Sequence, residues 1–312
     1  MLDRILERLN APKTVLALIV VSVLLLSAAY FFRTEERSTT TSSLPTTEVL
    51  VGAGDIASCD LTGDEDTAKL LDRIPGTIFT TGDHAYYDGT ETEFAECYEP
   101  SWGRHTNRTY PVPGNHDYNT ANASGYFSYF GPAAGEPGEG YYSYDLGEWH
   151  IIALNSTCES VIGGCQEGSP MLRWLEEDLA TNSKACTLAY WHRPLFSSGA
   201  THGNGPDIKP IWDALYAAGA EVVVNGHEHN YERFAPQDPN GVADAERGIR
   251  EFVVGTGGYY PYPLGEIQPN SEVRNDDTHG VLKLTLRPSD YEWEFVPVAD
   301  NPFKDSGSGS CH

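Results

Sequence analysis

The sequence predicts an α/β domain whose chemistry sits at the ends of parallel strands. Three observations predict it. Short apolar runs of strand length alternate with longer amphipathic stretches. Several of these runs end in a turn that carries oxygen or nitrogen donors. The 312 residues, 40% hydrophobic, suffice for one sizeable core and leave little room for a second domain.

In chain order, the first segment is set apart from that domain. Residues 14–32 are an apolar run broken only by Ser22 and Ser27, and Arg4, Arg8 and Lys13 precede it. At ~1.5 Å per residue such a run just crosses a hydrocarbon layer of ~30 Å. Residues 1–33 are therefore read as an uncleaved membrane anchor or a signal segment, the cleavage pattern being Ser27-Ala28-Ala29. Either places the rest of the chain outside the cytoplasm, anchored or secreted. Residues 34–48 are Ser/Thr-rich and polar, the composition of a tether.

The domain itself is read over residues 49–300, with residues 301–312 as a flexible tail. Residues 49–55 read as a buried strand delivering Asp55. A helix follows, capped near Asp64, with Ala68, Leu70, Leu71 and Ile74 inward and Pro75-Gly76 ending it. Residues 77–81 form the next strand and deliver Asp83. This β-α-β order makes the two strands parallel neighbours and brings Asp55 and Asp83 to one edge.

Residues 126–140, rich in Gly, Pro and aromatics, suit a cleft wall. The runs 141–146 and 149–155 flank Gly147-Glu148 as a hairpin, with His150 a packed strand residue. Ser169 caps a helix whose Met171, Leu172, Leu175 and Leu179 recur at helical spacing. Residues 187–191 form a strand that presents His192. A helix over 208–218 and a strand over 221–225 then lead to His227 and His229. In an extended chain these two imidazoles face one way and Glu228 the other. Strands near 249–255, 281–286 and 291–296 finish the domain.

Charge excludes one class of partner. The chain carries 45 Asp and Glu against 20 Lys and Arg, a formal charge of −25, so no basic face exists for nucleic acid. Six cysteines in an exported chain imply disulfides. Cys59 pairs with Cys97 and Cys158 with Cys165 in this reading, while Cys186, at the start of a strand, is a buried free thiol.

The donor-bearing turns are Gly54-Asp55, Gly82-Asp83-His84-Ala85-Tyr86, Gly114-Asn115-His116-Asp117, Trp191-His192-Arg193-Pro194 and Gly226-His227-Glu228-His229. Any one of them is an ordinary structural turn. Together they supply a carboxylate that can bridge, flanked by Asp, Tyr, Asn and His donors, as two adjacent transition-metal ions require. In this order the motifs resemble the calcineurin-like metallophosphoesterases, and Tyr86, three residues after Asp83, resembles the purple acid phosphatases. The similarity runs from about residue 48 to about residue 297.

That resemblance implies two mixed sheets packed face to face with helices outside. It also implies two metal ions, Fe(III) and a divalent ion (Fe, Zn or Mn). Asp55, Asp83, Tyr86 and His229 would hold one, and Asp83, Asn115, His192 and His227 the other, with Asp83 bridging. Many superfamily members place a ligand His two residues after the first Asp; this chain has Ala57 there, and Tyr86 supplies the missing donor.

The implied reaction is in-line attack of a metal-bound hydroxide on a small phosphomonoester. His202 is the implied general acid and His116 the stabiliser of the transferring oxygens, with Asp117 orienting His116 or closing a turn. A phosphodiesterase or nucleotidase with the same core is the alternative reading. A non-catalytic surface module that binds metal or phosphate is the other.

Overall fold

The computed structural model describes residues 46–299 and 301–312. The apolar run at 14–32 lies outside the described residues, and among those described no helix is long and apolar enough to cross a membrane. Along the chain, β1 (Glu48–Ala53) and the short β2 (Ala57–Ser58) precede helix α1 (Gly63–Leu71). Next come β3 (Thr77–Thr80), β4 (Ala85–Tyr86), β5 (Thr109–Pro111) and helix α2 (Ser124–Phe130). The hairpin β6 (Tyr142–Leu146) and β7 (Trp149–Ala153) leads to α3 (Pro170–Thr181), β8 (Cys186–Tyr190), α4 (Lys209–Ala218) and β9 (Val222–Asn225). Six strands close the chain: β10 (Tyr231–Phe234), β11 (Arg250–Val254), β12 (Ser271–Asn275), β13 (Gly280–Leu286), β14 (Asp290–Pro297) and β15 (Asp305–Ser310).

These strands build two mixed sheets. One runs β15-β14-β13-β1-β3-β5 and the other β12-β10-β11-β9-β8-β7-β6, with β2 and β4 a separate pair. β1 and β3 are parallel, Leu50 opposite Thr77 and Ala53 opposite Thr80, so Asp55 and Asp83 leave the same edge. β8 and β9 are also parallel and carry their following turns to one edge of the second sheet.

Period-two alternation sorts side chains between two cores. Leu188 and Tyr190 of β8, with Val222 and Val224 of β9, face a core shared with Leu50, Val51, Ile78 and Phe79 of the first sheet. Ala189, Trp191 and Val223 point the other way, onto Met171, Leu172 and Leu175 of α3 and Trp212 and Leu215 of α4. The result is a sheet-on-sheet sandwich with helices outside, as the resemblance implied.

Several local expectations change. Asp64 lies in the first turn of α1, and the cap position belongs to Thr62, which makes no side-chain cap bond. Ser169 does cap α3, its Oγ accepting from Leu172 N at 3.2 Å. Residues 126–140 are less a cleft wall than a support. Tyr126 and Phe130 of α2 are buried, and their rings pack on His84 at 5.4 and 4.8 Å. His150 is a packed residue, buried and bonded to Asp178 at 2.7 Å.

The C-terminal segment is structured where a flexible tail was expected. β15 pairs along β14, Asp290 opposite Ser310 through Phe295 opposite Asp305. Its Ser-Gly alternation resembles a linker but has a packing cause: a Cβ on Gly307 would lie 2.3 Å from the Trp293 ring. Cys186 is likewise not free, being bonded to Cys311, whereas Cys59–Cys97 and Cys158–Cys165 pair as expected. Asp305, buried, accepts from Tyr231 Oη and Arg233 Nε at 2.7 Å each and from Trp293 Nε1 at 3.2 Å. Removing it leaves a mostly buried guanidinium without its main partner. Asp305→Ala is expected to lose about 3–5 kcal/mol, read as a fall in the urea midpoint, and an unchanged midpoint would return the segment to the status of a tail.

Candidate metal centre

Three of the five turns deliver a donor from a strand end through a backbone conformation that L-residues seldom adopt. Asp55, Asp83 and His227 have φ of 61°, 54° and 71°. Three non-glycine residues in this region, all in one site, are local strain that the surrounding fold sustains. Residues 227–230 are a succession of bends, not the extended chain assumed for the two imidazoles, with Glu228 N bonded to Gly226 O and Asn230 N to Glu228 O. Even so His227 and His229 reach the site while Glu228 is buried elsewhere.

The side chains converge in two groups that share one atom. In the first, Tyr86 Oη lies 3.0 Å from Asp55 Oδ1, 3.3 Å from Asp83 Oδ2 and 3.1 Å from His229 Nε2. His229 Nε2 is in turn 3.2 Å from Asp55 Oδ1. In the second, His192 Nε2 lies 3.0 Å from Asn115 Oδ1, 3.2 Å from Asp83 Oδ2 and 3.1 Å from His227 Nδ1. Asp83 Oδ2 belongs to both. Asp55, Asp83 and His192 alone bring ligand atoms within 4.8 Å of one another.

The chemistry of this donor set tests its fitness for metal. A carbonyl only accepts, so the 2.7 Å contacts from Thr81 O to His192 Nδ1 and from Tyr260 O to His229 Nδ1 place a proton on each Nδ1. In the neutral rings each Nε2 then presents a lone pair to carboxylate and amide oxygens. Lone pairs facing one another at 3.0–3.2 Å repel unless a positive charge lies between them. Burial pulls the His192 imidazolium down, but the Asp83 carboxylate outweighs it and raises the group to about 9. Burial likewise pushes Asp83 up, and the charge of His192 overrides it and holds the carboxyl well below its usual range.

The site thus draws a cation, and these residues fit two metal ions, with carbonyls orienting the imidazoles from behind. Burial, then the charges of Asp55 and Asp83, hold the Tyr86 phenol well above its ordinary value. Its ionisation therefore requires a strong Lewis acid.

Of the two roles expected for Asp117, closing its own turn is the one seen, through Gly114 N, and the carboxylate also reaches beyond that turn. It accepts from Asp83 N at 3.0 Å, Gly114 N at 2.8 Å and His84 Nδ1 at 3.0 Å. None of these is His116; Asp117 fastens the Asp83 turn to the Asn115 turn. His84, whose Nε2 lies 2.7 Å from Thr80 Oγ1, completes the brace. Gly114 is required between the two turns, since a Cβ there would sit 2.1 Å from Asp83 Oδ1. His116 N donates to Asp83 Oδ1 at 2.8 Å, and its ring, bonded through Nδ1 to Tyr87 O at 2.8 Å, packs against Tyr86.

His202 stacks on His227 at 3.9 Å between centroids and is 38% exposed, so it stands beside the donors on their open side. Burial lowers its pKa. Sequence reading missed two rings that hold the donors in place. Tyr259 stacks on Tyr86 and Tyr262 on His229, each at 3.7 Å. The Gly257-Gly258-Tyr259-Tyr260-Pro261-Tyr262 run was the available signal: a turn dense in aromatics directly after a buried strand.

Residues 51–231 match the family model described as Calcineurin-like phosphoesterase. Purple acid phosphatase 15 of Arabidopsis thaliana is 29% identical over 202 residues, covering 53% of this chain and 37% of the relative. Acid phosphatase type 7 of Homo sapiens is 31% identical over 144 residues, 40% of this chain and 32% of that protein. This chain therefore spans well under half the length of these relatives.

The solved structure of purple acid phosphatase PPD1 from yellow lupin (Lupinus luteus) seeds superposes with a TM-score of 0.70 at 18% identity, over 86% of this chain and 54% of that one. It shares the sandwich fold. With more than half of its residues matched by the family model, and that span containing every proposed metal donor, the chain belongs to the calcineurin-like phosphoesterase family.

Proposed function

We propose that this chain is an exported phosphatase that hydrolyses small phosphomonoesters at a centre holding Fe(III) and a divalent ion. The observation that carries the reading is the convergence of Asp55, Tyr86 and His229 on one side of Asp83 Oδ2 and of Asn115, His192 and His227 on the other. The purple acid phosphatase relatives support it, and the disulfides support an oxidising compartment. The phosphodiesterase and the non-catalytic module remain the competing outcomes of the assays below.

When bound, the two ions would supply Lewis-acid activation of water and charge for the phosphoryl oxygens. The chain's own residues do the remaining work. Hydrolysis forms a P–O bond to water oxygen and breaks the P–O bond to the alcohol, whose oxygen must take up a proton. His202, exposed beside His227, donates that proton, and the one shed by water passes to solvent. His116, with Nδ1 committed to Tyr87 O, keeps Nε2 for the transferring oxygens.

Two measurements test this. The purified protein is expected to hold about two metal ions per chain, one of them iron. It should be purple from phenolate-to-iron charge transfer, and Tyr86→Phe should remove the colour. A colourless, fully active protein with two zinc or manganese ions would overturn the iron assignment and leave the fold intact.

His202→Ala is expected to retain its metal and lose ~10²–10⁴-fold in kcat on alkyl phosphates, and far less on an aryl ester whose phenol leaves without help. Equal losses on both substrates would make His202 a phosphate-positioning group. An absence of turnover on monoesters with brisk hydrolysis of diesters would transfer the chain to the diesterase reading. Metal binding without turnover of either would make it a binding module.

A further inference from the structure

Three glutamates point away from the metal centre into the interior of the fold, and all are buried: Glu228, Glu232 and Glu251. Glu232 of β10 stands opposite Val253 of β11, so Glu251, two residues before, lies diagonally across on the same face. Buried carboxylates are costly unless they are paired with cations or accept hydrogen bonds. Among the described residues no Lys or Arg bonds these three. They bind the backbone of one loop instead.

Glu251 Oε1 accepts from Leu195 N at 3.2 Å and Phe196 N at 3.4 Å. Glu232 accepts from Ser198 N at 2.7 Å and from Ser198 Oγ and Ser271 Oγ at 2.5 Å each. Glu228 Oε1 accepts from His202 N at 2.5 Å and Gly203 N at 2.6 Å. In sequence order along the loop the contacts step from Glu251 to Glu232 to Glu228. The loop begins next to the metal donor His192 and ends at His202.

We propose that this file of carboxylates is the dock that holds the 195–203 loop against the centre, and that Glu228 is the positioning residue for His202. The inference rests on the proposed role of His202 in the reaction. Glu228 sits between His227 and His229 in sequence and faces the opposite way, so the segment that supplies two donors also fixes the imidazole stacked on one of them. Charge-assisted acceptance of two consecutive N–H groups sets the direction in which residue 202 leaves the backbone. Space enforces the fit: a Cβ on Gly199 would lie 2.1 Å from Glu228 Cδ, so only glycine lets the loop close onto the carboxylate.

The experiment is a double-mutant cycle between residues 228 and 202 in the full-length, metal-loaded protein, with metal content and amide hydrogen exchange measured beside kinetics. Glu228→Ala is expected to keep its metal and accelerate exchange at the His202 and Gly203 amides by about tenfold or more. It should lower kcat on an alkyl phosphate by about 10–100-fold with little change in KM. Adding it to His202→Ala should cost nothing further. Glu228→Gln, which keeps an acceptor of the same shape, should recover most of the rate.

Gly199→Ala, which changes no metal donor, should reproduce the kinetic loss by crowding the carboxylate. It carries the test if Glu228→Ala loses metal. Additive losses in the cycle built on either 228 or 199, or unchanged exchange at residues 202 and 203, would overturn the proposal. The ratio of alkyl to aryl losses in His202→Ala reads the acid role separately, so the two claims fail by different results.

Discussion

Everything in the site depends on one carboxylate. Asp83 Oδ2 is shared by two donor groups, and its turn is held by Asp117, which ties it to Gly114 and, through His84, to a packed aromatic shell. Without a positive charge between these groups, the Nε2 lone pairs of neutral His192 and His229 would face carboxylate and amide oxygens at hydrogen-bond distance. Asp55, Asp83 and His192 are fully buried or nearly so, so water cannot screen that repulsion. The left-handed backbone at Asp55, Asp83 and His227 is sustained by the same network, which over-determines the turns that carry the donors.

The sandwich exists to bring these turns together. Parallel pairing of β1 with β3 brings Asp55 beside Asp83 across 28 residues of chain, and parallel pairing of β8 with β9 does the same for His192 and the histidine pair. Each of these four strands carries buried core residues, so the register is fixed by the core and the donors inherit that precision. The loop carrying His202 is held differently, by backbone N–H groups on buried carboxylates. That arrangement fixes the loop's path while leaving the imidazole partly exposed.

Much of this was legible in the sequence because its signals are local. Apolar runs ending in Gly-Asp or Gly-His announce strand ends, and the seven donors follow one another in an order that identifies the family. What was not legible depends on partners distant in sequence. Asp117 reads as a partner of His116 or as the closure of its own turn, and only the fold reveals that it also faces His84. Ser306 to Ser310 reads as linker because nothing in a Ser-Gly repeat tells of the Trp293 and Tyr291 rings lying over its glycines. Cys186 could not be paired without knowing that this segment folds back as β15. The alternation of His227, Glu228 and His229 gave the right facing for an inexact reason, since bends and a left-handed residue produce it there.

The central claim is that two ions share Asp83, and the measurement that tests it most directly is metal content of Asp83→Ala beside Asn115→Ala, by elemental analysis of folded protein. Because Asp83 Oδ2 belongs to both donor groups, its loss is predicted to empty both positions and abolish turnover, whereas Asn115→Ala, which touches one group, should keep at least one ion. An Asp83→Ala protein that folds, retains about two ions and turns over phosphate esters would contradict the account.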